Sequence, residues 1–368
     1  MPNLSENKSV QIAIAWCLAW GEAREPKHPV KADILRHAIS EGKTPDSPEV
    51  QDVLKQTEAL LSLSERNFDF PRNPTELEQL KSVHEVLWAS KIGLVYGGVT
   101  KVKSYVFESA DLHEIRGASD LLDRINLVDL PAFFHAETSD QFPQCQQAAE
   151  YCSKVVRGEW LDKEKKFKGL SDALIPELII YSTGGNILAF CPVDYAEQLA
   201  DAIERRYTEE TLTANSCAVA RSFRLLETRL GLLPEDLSQV RWLDWYSEHH
   251  AHPLVSQLLG IAAEPTPEKD EVSARFEQQK SFSELVTQLT IDFEQRRSGR
   301  DTQSNRVSRR YPPMFETHPY LRRDQSESRS AVFQSKEEIN SPDSGGLPGD
   351  PWFSETSARK RLMGQIAK

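Results

Sequence analysis

The stretch Glu177-Leu-Ile-Ile-Tyr-Ser-Thr-Gly-Gly-Asn-Ile-Leu-Ala-Phe-Cys191 decides the fold. Two runs of aliphatic and aromatic residues, Glu177–Ser182 and Ile187–Cys191, flank the tetrapeptide Thr183-Gly184-Gly185-Asn186. A glycine pair between two such runs predicts a tight β-hairpin, because glycine enters the positive-φ region at no steric cost. Pro192 ends the second strand, and Asp194 begins a helix through Ala196, Leu199, Ala200 and Ile203. Leu212 to Ala220 supplies a further strand. Upstream, Lys103-Ser-Tyr-Val-Phe-Glu-Ser109 has strand composition, and Leu94 to Thr100 lead into it. Arg116-Gly117-Ala118-Ser119 then opens a helical stretch through Leu121, Leu122, Ile125 and Leu127. The order is strand, helix, strand, strand, helix, strand. That is the split βαβ or ferredoxin-like arrangement, a four-stranded antiparallel sheet with two helices on one face.

Around this unit the chain reads as four parts and the fold class as α+β. Residues 1–92 form an N-terminal helical domain. Val10 to Trp20 is a short buried helix, and Ser47-Pro48-Glu49 and Asn73-Pro74-Thr75-Glu76 are two helix starts with a cap and a proline at the first helical position. Residues 93–222 are the ferredoxin-like domain, with a polar helix at about 142–156. Residues 223–297 are a helical appendage. It contains a helix from Arg221 closed by Gly231, a short helix after His252, a loop from Ala263 to Val272, and an amphipathic helix from Phe282 to Arg297. Residues 298–368 read as a low-complexity linker, largely disordered over 321–350, then the start of a helix from Ser354 whose Leu362 and Ile366 have nothing to pack on.

A chain of 368 residues accommodates two to three domains of about 150 residues each. Its 44 basic and 56 acidic residues give a formal charge of −12, which argues against coating nucleic acid by bulk charge. Five cysteines, an odd number without a Cys-x-x-Cys pair, speak against a disulfide framework and a cysteine zinc site. No apolar run approaches a membrane span and the N-terminus has no signal pattern, so the expectation is a cytoplasmic protein without membrane contact.

The chemistry-bearing candidates are few. Gly184, Gly185 and Asn186 either form a plain hairpin turn or let a phosphate approach the main chain closely. Palm-type polymerases and cyclases carry acids on the equivalent hairpin to hold magnesium, and Asn186 cannot replace a carboxylate. Gly117, Ala118 and Ser119 at a helix start offer free N–H groups and a hydroxyl to a phosphate, or else a serine cap with a glycine bend. Glu108 stands where cyclases place a metal carboxylate, but one acid is a poor magnesium site. His249, His250 and His252 have spacings that do not put three imidazoles on one helix face. The arginines at 296, 297, 300, 306, 309 and 310 form a local basic stretch, either a contact to nucleic-acid phosphates or a solvated linker. No catalytic and no metal-binding residue is expected.

Three stretches together resemble the large subunit of type III-B CRISPR–Cas effector complexes (the Cas ten, or Cmr two, family). Lys101 to Leu122 looks like the opening of that family's first palm domain. Glu177 to Phe190 is similar to the palm's central hairpin, typically Gly-Gly-Asn, and Trp352 to Leu362 also looks familial. The resemblance covers about 93–220 well and the C-terminal third loosely. Residues 1–92 lack the HD nuclease motif that the family often carries. Pro319 to Ser328 lacks the cysteines of its zinc module, and the catalytic Gly-Gly-Asp-Asp hairpin of a second palm is absent.

The resemblance implies an N-terminal portion of a longer subunit. Gly117, Ala118, Ser119, Gly184, Gly185 and Asn186 would line the first palm's half of an ATP site, with magnesium only when a second palm is paired. The implied partners are the other type III effector subunits, CRISPR RNA and target RNA through the complex, and a separately encoded second palm. Alone, the chain is expected to be inactive as a cyclic oligoadenylate synthase. The alternative is a non-catalytic ferredoxin-like module that docks a protein subunit or RNA.

Overall fold

The computed structural model describes residues 8–42, 45, 47–63, 69–136, 149–237, 241–261, 269–300, 306, 320–327, 329–334 and 351–366. In chain order its elements are α1 (Lys8–Trp20), α2 (Ala32–Glu41), α3 (Pro48–Ser62), α4 (Pro74–Val83), α5 (Glu85–Ala89), β1 (Lys91–Thr100), α6 (Val102–Val106) and α7 (Leu112–Arg124). A π-helical turn, Ile125–Asp129, leads into α8 (Leu130–Phe133). A second π-helical segment (Tyr151–Leu161), α9 (Leu170–Ala173), β2 (Ile179–Thr183), β3 (Asn186–Cys191), α10 (Ala196–Thr211) and β4 (Asn215–Arg224) follow. The remainder is α11 (Glu227–Leu230), α12 (Leu243–His249), α13 (Pro253–Leu259), α14 (Lys269–Gln279), α15 (Phe282–Arg297), β5 (Phe333–Gln334), β6 (Trp352–Phe353) and α16 (Glu355–Ile366). The class is α+β, and four strands form one small antiparallel sheet in the order β2-β3-β1-β4.

The chain divides into two compact units, each discontinuous in sequence. One comprises Met1–Val95, Phe190–Glu197 and Ala220–Asp292. In it α1 is buried from Ile12 through Trp20, a core helix rather than an amphipathic one, with α2 and α3 against it. Both helix starts carry the devices expected from sequence. The Ser47 hydroxyl accepts from the Val50 amide ahead of α3, with Pro48 at the first helical position. The Asn73 side chain accepts from the Glu76 amide at 3.0 Å, and Glu76 reaches back to the Arg72 amide at 2.7 Å. These reciprocal bonds satisfy donors that a helix start otherwise leaves open. Phe70, Trp242 and Phe276 pack mutually, with ring centroids 5.5–6.3 Å apart. Among the described residues no helix is long and apolar enough to cross a membrane.

The second unit comprises Tyr96–Ala189, Gln198–Val219 and Phe293–Lys368. Several expected elements of the chain move, most of them here and two, α11 and α14, in the first unit. Lys103–Ser109 is not a strand. The strand is β1, the stretch read as its lead, and Lys101 at φ +54° turns the chain into α6. Tyr105 is buried by that helical turn while Lys103 and Phe107 face outward, a helical rather than an alternating pattern. The last long strand begins at Asn215 rather than Leu212 and runs on to Arg224, so the helix closed by Gly231 is only the single turn α11. Leu212 itself sits at φ +64°, outside any strand conformation. Of the expected loop Ala263–Val272, the residues from Lys269 onward belong to α14, and 262–268 lie outside the described residues. The polar helix begins outside them too, and its described part is π-helical over Tyr151–Leu161.

The largest departure is at the C-terminal side. Far from lacking a partner, α16 packs along α7, and the contact is made by glycines. A Cβ on Gly117 would collide with the Lys360 carbonyl oxygen, and one on Gly364 with the His113 carbonyl oxygen. Two helices approach this closely only where side chains are missing. Residues 321–327 and 329–334, expected to be loose, are tied to the start of α16. The Asp324 carboxylate accepts from the Ser354 amide at 2.6 Å, from the Ser357 hydroxyl and from the Ser326 amide at 2.7 Å. One short-range acid thus gathers a turn and a helix start; residues 335–350 lie outside the described residues.

Candidate functional site

The hairpin that joins β2 to β3 turns at two glycines. Gly184 and Gly185 have φ of +63° and +81°, which is the two-residue turn that matches the twist of paired strands. Thr183 pairs with Asn186, Ser182 with Ile187 and Tyr181 with Leu188. The outer side of Gly184 meets no neighbouring atom, whereas the inner side of the turn is hydrogen-bonded at Gly185 and Asn186.

Asn126, buried in the π-helical turn, holds that inner side. Its Oδ1 accepts from the Gly185 amide at 3.1 Å, and its Nδ2 donates to the Asn186 carbonyl at 3.2 Å and the Ser182 hydroxyl at 3.4 Å. The Ser182 hydroxyl in turn donates to the Asn126 carbonyl at 2.6 Å. The Gly185 carbonyl accepts from the Val99 amide at 3.0 Å and from the Tyr207 hydroxyl at 3.4 Å. On the β1 side Gly98 is required, since a Cβ there would strike the Gly185 carbonyl oxygen and Asn186. A one-residue widening of the helix therefore aims a side-chain amide at the turn.

The other end of the same π-helical turn carries Asp129, fully buried. Its Oδ2 accepts from Arg206 Nε at 2.8 Å and from the Tyr151 hydroxyl at 3.4 Å, while Arg124 bonds Glu210. The Arg206 guanidinium also lies 5.2 Å from the centre of the Trp160 ring. Burial pushes the Asp129 carboxyl above its usual range despite the two arginines, and burial with Asp129 beside it pushes the Tyr151 phenol up to about 12. This closed ion network fixes the turn that presents Asn126. The Asp129 carboxylate itself is inaccessible to a substrate.

Gly117, Ala118 and Ser119 do not sit at a helix start. The helix α7 opens five residues earlier, at Leu112, with Asp111 as its cap accepting from the His113 and Glu114 amides at 2.9 and 3.3 Å. The amides at 117–119 are consequently in mid-helix. Gly117 and Ala118 are buried under α16 and only Ser119 is exposed. The acid at Asp111, a better cap than glycine, was the signal for the earlier start. The hairpin and the Gly117 face have separate neighbours.

Glu108 is not an open metal carboxylate. Lys360, itself fully buried, donates to it at 2.8 Å, Thr213 donates at 3.2 Å, and Arg329 bonds the other oxygen. Burial alone would raise its pKa, but the bonds from Arg329 and Lys360 outweigh burial and hold the carboxyl below the usual range. The three histidines work separately. His249 stacks on Trp245 at 4.5 Å and donates to its carbonyl, His250 donates to the Ser247 carbonyl, and His252 caps α13. Among the described residues no group of three or more His, Cys, Asp or Glu is arranged to hold a metal ion.

The arginine stretch is only partly a surface. Arg296 forms a two-pronged pair with buried Glu204 at 2.7 and 2.9 Å, and Arg306 joins the same carboxylate at 3.1 Å. Glu204 also accepts from the Ala218 amide, and Arg306 donates to the Ala218 carbonyl, both at 2.8 Å. Those two contacts cover the open edge of β4, a recurrent way to keep an edge strand from pairing with another chain. Arg297 pairs with Glu294, and Arg309 and Arg310 lie outside the described residues. Asn126 and Glu204 carry no local sign of these roles beyond being polar residues in otherwise apolar helical periods. No family model matches this chain, and no curated protein matches it.

Proposed function

We propose that the chain acts as a non-catalytic palm scaffold in a type III CRISPR RNA-guided antiviral effector, supplying the first-palm half of an ATP site in the cytoplasm. One observation carries the reading. The strand order β2-β3-β1-β4, with α7 between β1 and β2, α10 between β3 and β4, and a Gly-Gly turn joining β2 to β3, is the order of a ferredoxin-like βαββαβ unit. On this reading the outward side of Gly184-Gly185, the exposed side chain of Ser119 and Asn186 meet a nucleotide, while Gly117 and Ala118 serve by seating α16. Magnesium and the acids that bind it would come from a second palm. CRISPR RNA, target RNA and the other effector subunits would be reached through the complex.

A second reading, a ferredoxin-like module that docks a protein subunit or RNA and binds no nucleotide, is favoured by the occupation of the hairpin's inner amide and carbonyls by Asn126 and Tyr207. ATP titration of the isotope-labelled chain separates the two. The scaffold reading expects amide shifts at Ser119 and at Gly184 to Asn186. Silence at both sites leaves the docking module. Synthesis of oligoadenylate by the chain alone, given ATP and magnesium, would remove the non-catalytic assignment.

A further inference from the structure

The segment that leaves β1 presents a surface that none of the preceding assignments uses. Lys101, Val102, Lys103 and Ser104 are all exposed, Phe107 is 65% exposed and Leu112 79%. Lys103 and Phe107 stand four residues apart on one helical turn, with the Phe107 amide bonded to the Lys103 carbonyl, so the two side chains are neighbours. Phe107 thus stands exposed on a short segment that also exposes Val102 and Leu112.

The charge around it is one-sided. Between positions 101 and 116 the chain has three carboxylates, and each is turned inward. Glu108 is taken by Lys360 and Arg329. Asp111 caps α7 and lies 3.4 Å from Arg361, and Glu114 is buried with its carboxylate on the Ser326 hydroxyl at 3.0 Å. Lys101 and Lys103 have no ion-pair partner among the described residues. On a chain with a formal charge of −12, this leaves a local cationic face around an open aromatic ring.

We propose that Lys101, Lys103 and Phe107 form a binding surface for single-stranded nucleic acid. The two ammonium groups would contact successive phosphates, and the Phe107 ring would stack on a base. Exposed cations beside an aromatic platform are the two elements of sequence-tolerant single-strand binding. Duplex offers no unstacked base to the ring and is the poorer ligand. The proposal does not depend on the nucleotide reading of the hairpin, since it uses neither Ser119 nor the Gly-Gly turn.

Fluorescence anisotropy of the full chain with a 5′-labelled twenty-nucleotide oligouridylate, between about 50 and 200 mM salt, tests it. The doubly reversed variant K101E/K103E should bind at least about tenfold more weakly, with a logarithmic salt slope shallower by about 1.4, the loss of two phosphate contacts. Phe107→Ala should weaken binding about five- to hundredfold with the slope unchanged, the signature of lost stacking. Unchanged circular dichroism and melting of each variant would exclude unfolding as the cause. No binding by the unaltered chain overturns the proposal and leaves the patch to a protein partner. Binding that both variants retain overturns it too, and assigns the nucleic-acid contact elsewhere.

Discussion

At the scale of single residues, Asn126 and the two hairpin glycines divide one task. The glycines allow the turn, and Asn126 satisfies the polar groups that the turn points inward. Replacing Asn126 with alanine removes the acceptor of the Gly185 amide, while the Ser182 hydroxyl keeps the main-chain carbonyl of position 126; a part-buried amide left without its partner costs about 1–3 kcal/mol. Asn126→Ala should therefore lower unfolding free energy by about 1–3 kcal/mol in urea titration. Gly184→Asn, at an open position in the left-handed region, should cost under about 1 kcal/mol because asparagine tolerates that region best after glycine. Equal losses for the two variants would mean that the turn, and not its buried clamp, limits stability. The turn was legible in the sequence, because Gly-Gly between two apolar runs has few other uses. The clamp was not, because nothing local ties position 126 to position 185.

At the scale of elements, the pairing of α7 with α16 shows how a motif can be read in the right helix and the wrong place. Arg116-Gly117-Ala118-Ser119 does belong to a helix, but its glycine marks a close approach of backbone and not the expected helix start. The close approach is what occurs, against a segment about 240 positions away that no local pattern links to it. Gly117→Ala forces a methyl into the Lys360 backbone, and α16 must shift to accommodate it. A loss of about 3 kcal/mol is expected, the upper range for overpacking. Gly364→Ala should lose a similar amount, and the double variant less than the sum, because both relieve the same crossing. Hydrogen exchange of the α16 amides is the measurement. Protection unchanged in Gly117→Ala would sink the account of a glycine-mediated crossing.

At the scale of the whole molecule, the acidic balance is distributed unevenly between solvent and interior. Buried Asp129 and Glu204 each gather arginines, and Glu108 gathers Lys360 and Arg329. Glu108 is held below the usual carboxylate range, so its folded value lies under its unfolded one. The stability it contributes is full above the unfolded value and is lost as pH falls through the folded value. Glu114 and Glu327, raised by burial, act with the opposite sign: their contribution declines as pH rises from the ordinary glutamate range toward their raised values. Below about pH 4.3 Glu108→Gln should therefore lose less melting temperature than the unaltered chain does, while being the less stable of the two at neutral pH. Superimposable profiles would show that the Lys360 and Arg329 pairs contribute nothing. Sequence by itself determined the α+β class, the hairpin with its turn, the capped helices of the N-terminal part and the course of α10 and α15. Each of those depends on residues within a few positions of one another. Tertiary structure alone decided that Lys103–Ser109 is helical, that Gly117 seats a second helix, that α16 has a partner, and that Arg296 and Arg306 face a buried glutamate. The reason is physical: a glycine, a carboxylate or an arginine fits several local structures equally well, and the atom that selects among them is supplied by a distant part of the chain.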